Sequence, residues 1–421
     1  MFKKIVLKNG LRIISIPKKT ALATTVLILV KTGSKYEKKE VNGISHFLEH
    51  MLFKGTKNRP SPLSIVETLD KVGGVFNAFT SEEYTGYYAK VESSHFKLAL
   101  DWVSDIFLNS TLPKKEMEKE RGVIIQEINM LSDHPSSCIQ ILWAELLYGN
   151  QPAGWNITGP KKNIIRMSQK ELINYWKKQY VASNTVVCIA GGVEQEQSLK
   201  LAKKYFSKMS ISSPFGKAKV IEKQDSPKCI LRFKKTDQTH LCIGVRGYNS
   251  FHPDRYVVDI LGIILGGMMS SRMFIEVREK LGLCYYIRTS VEDNPDTGFL
   301  VTQVGVDNKN VKKAILTILK EYKRISNKKV SAEELKKAKD NIKGKMALQL
   351  ESSDALASYY GGQELMENKI LIPREFFKKI DNVSVDDVLR VSKDIFKSKK
   401  LNLALIGPFK EKDSFERILK I

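Results

Sequence analysis

The chain has 421 residues, of which 42% are hydrophobic and 27% charged, more than one core of ordinary size organises, so two domains or more are expected. Its longest apolar runs, such as Val26 to Val30, fall far short of the roughly 18 residues needed to cross a bilayer, so no membrane partner is expected. A formal net charge of +23 raises nucleic-acid or anionic-surface binding as a rival function. The lysines, however, are scattered as short pairs (Lys3-Lys4, Lys38-Lys39, Lys161-Lys162, Lys177-Lys178, Lys336-Lys337) with no basic run interleaved with aromatics, so no nucleic-acid partner is expected.

The first residues lack the long apolar region and small-residue cleavage site of a secretory signal and read as a β-hairpin turning at Asn9-Gly10. The five cysteines (Cys138, Cys188, Cys229, Cys242, Cys284) are scattered, odd in number and without C-x-x-C spacing. That pattern argues against a disulfide framework or a cysteine-zinc site, and the expectation is reduced thiols and a cytoplasmic location.

A strand over Thr24 to Lys31 leads to the most informative run, Gly43-Ile44-Ser45-His46-Phe47-Leu48-Glu49-His50-Met51-Leu52-Phe53. On a helix, residues four apart share a face, so His46 and His50 can converge on one metal ion with Glu49 beside the same spot. H-x-x-E-H is the inverted form of the H-E-x-x-H zinc-protease signature. Phe47, Leu48, Met51, Leu52 and Phe53 make the helix largely apolar, and imidazoles buried there need a partner.

A helix over Pro62 to Val72, ended by Gly73-Gly74, precedes strands near Val75 to Thr80 and Tyr84 to Val91. Helices follow near His95 to Phe107 and Lys114 to Leu131. A catalytic zinc takes three protein ligands, and the second of these helices offers Glu120 and Glu127 two turns apart, beside an apolar face of Met117, Val123, Ile124, Ile128 and Leu131. Either glutamate could reach a metal. Helices at Ser136 to Leu147 and Gln169 to Lys178, a strand at Thr185 to Ala190 and a helix at Gln195 to Phe206 complete this half.

Ser207 to Gly216, rich in serine and broken by Pro214 and Gly216, reads as a linker. The second half repeats the order of the first. Strands are expected near Ala218 to Glu222, Ile230 to Lys234 and His240 to Gly247, with helices near Asp254 to Leu265 and Ser271 to Lys280. Strands near Cys284 to Val291 and Thr297 to Val306 come next, then helices near Val311 to Ile325, Ala332 to Leu348, Ser353 to Leu365 and Val385 to Phe396. The strand Asn402 to Ile406 and a closing helix end the chain. The fold class is therefore α+β, with two domains of like architecture. Residues 1–206 bear the metal motif, 207–217 form the linker and 218–421 form the second domain, which has no H-x-x-E-H.

These residues resemble the pitrilysin and insulin-degrading enzyme superfamily of zinc peptidases, and within it the short branch of the mitochondrial processing peptidase and bacterial processing-type proteases. The run Glu120-Arg121-Gly122-Val123-Ile124-Ile125-Gln126-Glu127-Ile128 is similar to the family's E-R-x-V-I-x-x-E-I helix. The family's spacing after the second histidine selects Glu127 as third zinc ligand and gives Glu120 a supporting role. Phe53-Lys54-Gly55-Thr56, Asn77-Ala78-Phe79-Thr80-Ser81 and Tyr84-Thr85-Gly86-Tyr87-Tyr88 resemble the family's segments around its active site. Arg278 and Tyr285 match its substrate-contacting arginine and tyrosine.

The resemblance implies a zinc endopeptidase with one Zn2+ per chain, held by His46, His50 and Glu127, with Glu49 as general base. It implies that the strand Phe76, Asn77, Ala78, Phe79 pairs with substrate, and that each chain, an antiparallel-rich mixed sheet with helices in each domain, forms half of a clamshell. The expected partners are peptides or unfolded polypeptide segments and a second chain, in a homodimer or a heterodimer with a relative. Arg278 and Tyr285 would then complete the partner's site. A rival reading is a non-catalytic structural subunit of the same family, against which His46, Glu49, His50 and Glu127 all stand intact.

Overall fold

The computed structural model describes residues 2–421. The first half runs β1 (Lys3–Val6), β2 (Arg12–Pro17), β3 (Ala23–Val30), α1 (Ile44–Met51), α2 (Pro62–Asp70), β4 (Val75–Thr80), β5 (Thr85–Glu92), α3 (Phe96–Asn109), α4 (Lys114–Asp133), α5 (Pro135–Tyr148), α6 (Lys161–Arg166), α7 (Gln169–Gln179), β6 (Thr185–Gly191) and α8 (Gln195–Phe206). The second half runs β7 (Lys228–Phe233), β8 (Gln238–Arg246), α9 (Arg255–Gly266), a π-helical turn (Phe274–Glu279), β9 (Cys284–Asn294), β10 (Thr297–Asp307), α10 (Val311–Asn327), α11 (Ala332–Gln349), α12 (Ser353–Glu367), α13 (Pro373–Asp381), α14 (Val385–Ile395), β11 (Leu401–Gly407) and α15 (Asp413–Glu416).

The first sheet has the order β1-β2-β6-β3-β5-β4 and the second the order β7-β11-β8-β10-β9. Once β1 is set aside, the two orders correspond strand for strand. Each sheet contains one parallel pair, β2 with β6 and β7 with β11, while the remaining pairs are antiparallel. The α+β class and the repeated architecture follow directly.

Strand β3 shows why the sheets read as near-continuous apolar runs, because both of its faces are covered. Val26, Ile28 and Val30 point into a core with Phe47, Leu48, Trp102 and Val103. Leu27 and Leu29 point the other way, into a core with Val186, Cys188, Leu356, Ala357 and Tyr360. The last three lie on α12, which belongs to the second half of the chain. In the second sheet Leu241, Ile243 and Val245 pack with Ile260, Leu261 and Ile318, whereas Cys242, Ala404 and Ile406 pack with Ile139, Leu142, Trp143 and Leu147 of α5.

The halves therefore exchange helices, and the linear division at 207–217 is corrected on this point. One compact unit comprises residues 1–129, 155–218 and 347–370, and the other comprises 130–154, 219–346 and 371–421. Hydrogen bonds seat the exchanged helices as well: Thr25 with Ser353 at 2.8 Å, and Gln303 donating to the Ser136 carbonyl at 2.8 Å.

Three further expectations differ from the structure. The strand expected at Ala218 to Glu222 is absent, because the amide of Gln151 both donates to the Ile221 carbonyl and accepts from its N–H. A side chain thereby satisfies the main chain that a neighbouring strand would have paired. The helix expected over Ser271 to Lys280 winds wider over Phe274–Glu279, with the Lys280 N–H reaching back to Ile275. Helices α6 and α13 were not anticipated. All five cysteines are free thiols, and among the described residues no helix is long and apolar enough to cross a membrane.

Candidate metal centre

Helix α1 buries Ile44, Phe47, Leu48 and Met51. This apolar stripe fixes the rotation of the helix and sets His46, itself buried, on the opposite side together with the half-buried Glu49 and His50. The two imidazoles lie with ring centroids 4.7 Å apart and nearly perpendicular. Helix α4 buries Met117, Glu120, Ile124 and Ile128, and that face brings Glu127 to the histidines. Glu127 Oε2 is 3.3 Å from His46 Nε2 and 3.5 Å from His50 Nε2.

Ligand atoms of His46, His50 and Glu127 all lie within 4.8 Å of one another, the one such group among the described residues. Two imidazole nitrogens and one carboxylate oxygen match the donor set of a catalytic zinc that keeps a position open. The residues fit the ion that the motif implies.

Glu120 stands behind His50. Its carboxylate meets His50 Nδ1 at 3.1 Å and accepts from Lys54 Nζ at 2.7 Å, which leaves His50 Nε2 facing the cluster. The lysine was not singled out from sequence. His46 differs: its Nδ1 is buried and has no hydrogen-bond partner among the described residues. Glu49 accepts a hydrogen bond of 2.6 Å from the Thr80 hydroxyl, at the end of β4. It is thus beside the cluster and outside it.

The electrostatics call for a cation. Burial pushes the His50 imidazole down, but hydrogen bonds to Glu120 and Glu127 and the field of Glu127 and Glu49 outweigh it and lift it to about 9. Hydrogen bonds from His46 and His50 hold the Glu127 carboxyl well below the usual range. Burial works against ionisation of Glu120, yet His50 and Lys54 hold that carboxyl below its ordinary value too. A proton and a metal ion therefore compete for one site.

The strand Phe76 to Phe79 lies in β4, an edge of the sheet with β5 as its one partner among the described residues. Phe76 packs on Trp102 with centroids 5.0 Å apart, Ala78 is buried, Phe79 lies over Gly86, and Asn77 is exposed. Arg278 and Tyr285 lie in the other unit. The Arg278 guanidinium sits 4.6 Å from the Phe274 ring centre and 5.3 Å from that of Tyr285, a cation held between two aromatic faces. Tyr285 is 81% exposed. Arg278 lies within the π-helical turn, a feature common at functional sites.

Sequence reasoning missed two polar anchors that hold this region. Asp105, in the middle of α3, accepts from Thr56 at 2.6 Å, from Asn58 at 2.7 Å and from Arg59 at 2.7 Å, so it clamps the loop that follows α1. Glu37, in the loop before α1, accepts from the main-chain N–H groups of Gly43 and Ser45. Neither carries a motif; an acidic residue isolated among apolar neighbours was the one available signal for Asp105.

Residues 12–161 match the family described as insulinase, peptidase family M16, and residues 166–342 match the family described as the peptidase M16 inactive domain. His46, Glu49, His50, Glu120 and Glu127 fall in the first match, Arg278 and Tyr285 in the second. Among relatives, the uncharacterized zinc protease YmxG of Bacillus subtilis is 34% identical over 409 residues, which is 97% of this chain and 98% of that one. An uncharacterized zinc protease of Rickettsia bellii is 32% identical, covering 96% of each chain. The fold is that of a protease from Helicobacter pylori (TM-score 0.89, 24% identity, 97% of this chain and 99% of that one). It is also that of a peptidase M16 inactive domain from Pseudomonas fluorescens (TM-score 0.89, 16% identity, 97% and 98%). Fold and cluster together define a two-domain protein whose inverted motif contributes to a candidate metal centre. The chain belongs to the M16, or insulinase, family of peptidases, and its relatives are named zinc proteases.

Proposed function

We propose that the protein is a zinc-dependent endopeptidase that cleaves peptides or unfolded segments inside a dimer. The observation that carries this reading is the convergence of His46, His50 and Glu127 within 4.8 Å, with the Glu49 carboxylate beside them and not among them. His46, His50 and Glu127 would hold a zinc ion, which when bound would supply Lewis acidity for activating water and polarising the scissile carbonyl. Glu49 takes the proton that water gives up on attack and delivers it to the leaving amine. Thr80, donating to Glu49, orients the carboxylate for both transfers. Glu120 and Lys54 hold His50 in one ring orientation.

An extended peptide pairs with the outer edge of β4 by strand addition, with Asn77 near the scissile bond. In the dimer, Tyr285 of one protomer donates to the charge developing on the carbonyl oxygen in its partner's site, and Arg278 packed against it keeps the phenol in position. The chamber so formed admits flexible chains and rejects folded ones.

Cleavage of a diverse peptide library with and without a chelator, read by mass spectrometry, tests the reading. Chelator-sensitive cuts that return with zinc are expected; a folded protein that cuts nothing under either condition refutes it. Mixing a zinc-site variant with an Arg278 and Tyr285 variant tests the shared site, since mixed dimers should regain activity.

A further inference from the structure

Helix α1 is only eight residues long and carries three of the four residues assigned to holding the metal and activating water, yet it has no capping side chain of its own. Its N-cap is Gly43, at φ +101°, a conformation that favours glycine. A Cβ there would also lie 2.7 Å from the Thr158 carbonyl oxygen. The position that ordinarily supplies a capping oxygen is thereby closed to any residue that has one.

Glu37 supplies the oxygens from outside the helix. Its buried carboxylate accepts from Gly43 N–H and Asn42 Nδ2 at 2.8 Å each through one oxygen and from Ser45 N–H at 2.9 Å through the other. A carboxylate at this end also opposes the positive pole of the helix. The Ser45 hydroxyl then meets the Tyr175 hydroxyl at 2.9 Å, and Tyr175 meets Thr32 Oγ1 at 2.7 Å. The first turn of α1 is thus tied to the segment just after β3 and to α7.

The consequence falls on His46, the next residue along. Glu120 orients His50 through its second nitrogen, whereas His46 Nδ1 has no such partner, so the aim of His46 Nε2 depends on where the backbone of α1 stands. We propose that Glu37 and Tyr175 are positioning residues, which set the pitch and depth of α1 and through it the placement of His46 and Glu49. This inference rests on the zinc-peptidase reading and adds residues to it that touch neither metal nor substrate.

The test compares wild type, Glu37→Gln and Tyr175→Phe by zinc affinity, measured by competition with a chelator, and by kcat and KM per bound zinc on a peptide the wild type cleaves. Glu37→Gln turns an amide NH2 toward N–H donors; it should weaken zinc binding by about tenfold or more, the scale seen when groups behind metal ligands are removed. It should also lower kcat while KM stays within about twofold. Tyr175→Phe keeps the ring and should shift both readouts in the same direction by less. A folded Glu37→Gln with wild-type zinc affinity and kcat overturns the proposal. If that variant does not fold, Tyr175→Phe decides by the same two readouts, wild-type values for both overturning it. A wild-type protein that neither binds zinc nor cleaves would refute the peptidase reading itself, an outcome distinct from an active wild type with unaffected variants.

Discussion

Thr80 donates a 2.6 Å hydrogen bond to the carboxylate of Glu49, so the residue assigned to move protons is tied to the strand assigned to hold substrate. A general base contributes about 10²–10⁴-fold to rate. Glu49→Gln should lose activity by at least the lower figure while keeping its zinc, because Glu49 stands outside the ligand cluster. Metal content and turnover measured on the same sample separate the two effects; turnover near the wild-type rate would remove the base assignment.

Glu120 binds no metal in this account and acts through His50. Glu120→Ala leaves the His50 ring without its 3.1 Å anchor and Lys54 without its partner. Zinc affinity should fall roughly 10–100-fold, with a smaller change in kcat once zinc is saturating. Chelator competition measures the first and zinc-titrated kinetics the second.

Asp105 gives a stability prediction with a defined pH dependence. Burial raises the cost of its charge, but donors from Thr56, Asn109, Arg59 and Asn58 outweigh that and hold the carboxyl below its ordinary value. A depressed folded-state value means that the unfolded chain binds the proton more readily. The contribution is therefore present above the unfolded value, near 3.9, and is lost as pH falls through the lower folded value. Asp105→Ala should destabilise by about 3–5 kcal/mol near neutral pH, as breaking a buried ion pair does. In urea unfolding at successive pH values, the gap between wild type and variant should narrow on the acid side.

Asp259 on α9 should behave in the opposite sense. Burial, with Asp293 nearby, pushes its carboxyl up to about 7. The unfolded chain releases the proton near 3.9 while the folded chain keeps it, so stability falls as pH rises from about 4 towards 7. Asp259→Asn removes the ionisation. Discounted for partial exposure of the side chain, the gain at pH 8 should be roughly 1–3 kcal/mol, and it should vanish below pH 4. Thermal or urea unfolding at the two pH values checks the sign.

The metal cluster was legible because its chemistry is local. His46 and His50 share a helix face by spacing alone, and the apolar stripe of Phe47, Leu48 and Met51 fixes which face that is. The choice between Glu120 and Glu127 was not local: both lie on one side of α4, and only the family resemblance separated them. The α+β class and the repeated architecture followed from like patterns in the two halves, but the order of strands within each sheet and the exchange of α5 and α12 did not. An apolar stripe such as Ile139, Leu142, Trp143 and Leu147 shows that a helix covers something without showing which sheet. Glu37 and Asp105 were hidden for a related reason, since a buried carboxylate is recognised by the donors folding brings to it, and most of those donors are main-chain groups or lie more than forty residues away.

Zinc content measured by atomic spectroscopy on purified wild type and on Glu127→Gln tests the centre of the account. We predict about one zinc per chain in the wild type, as for a single catalytic site, and little or none in the variant under the same dialysis. Equal zinc in both proteins, or none in a folded wild type offered the metal, would contradict it.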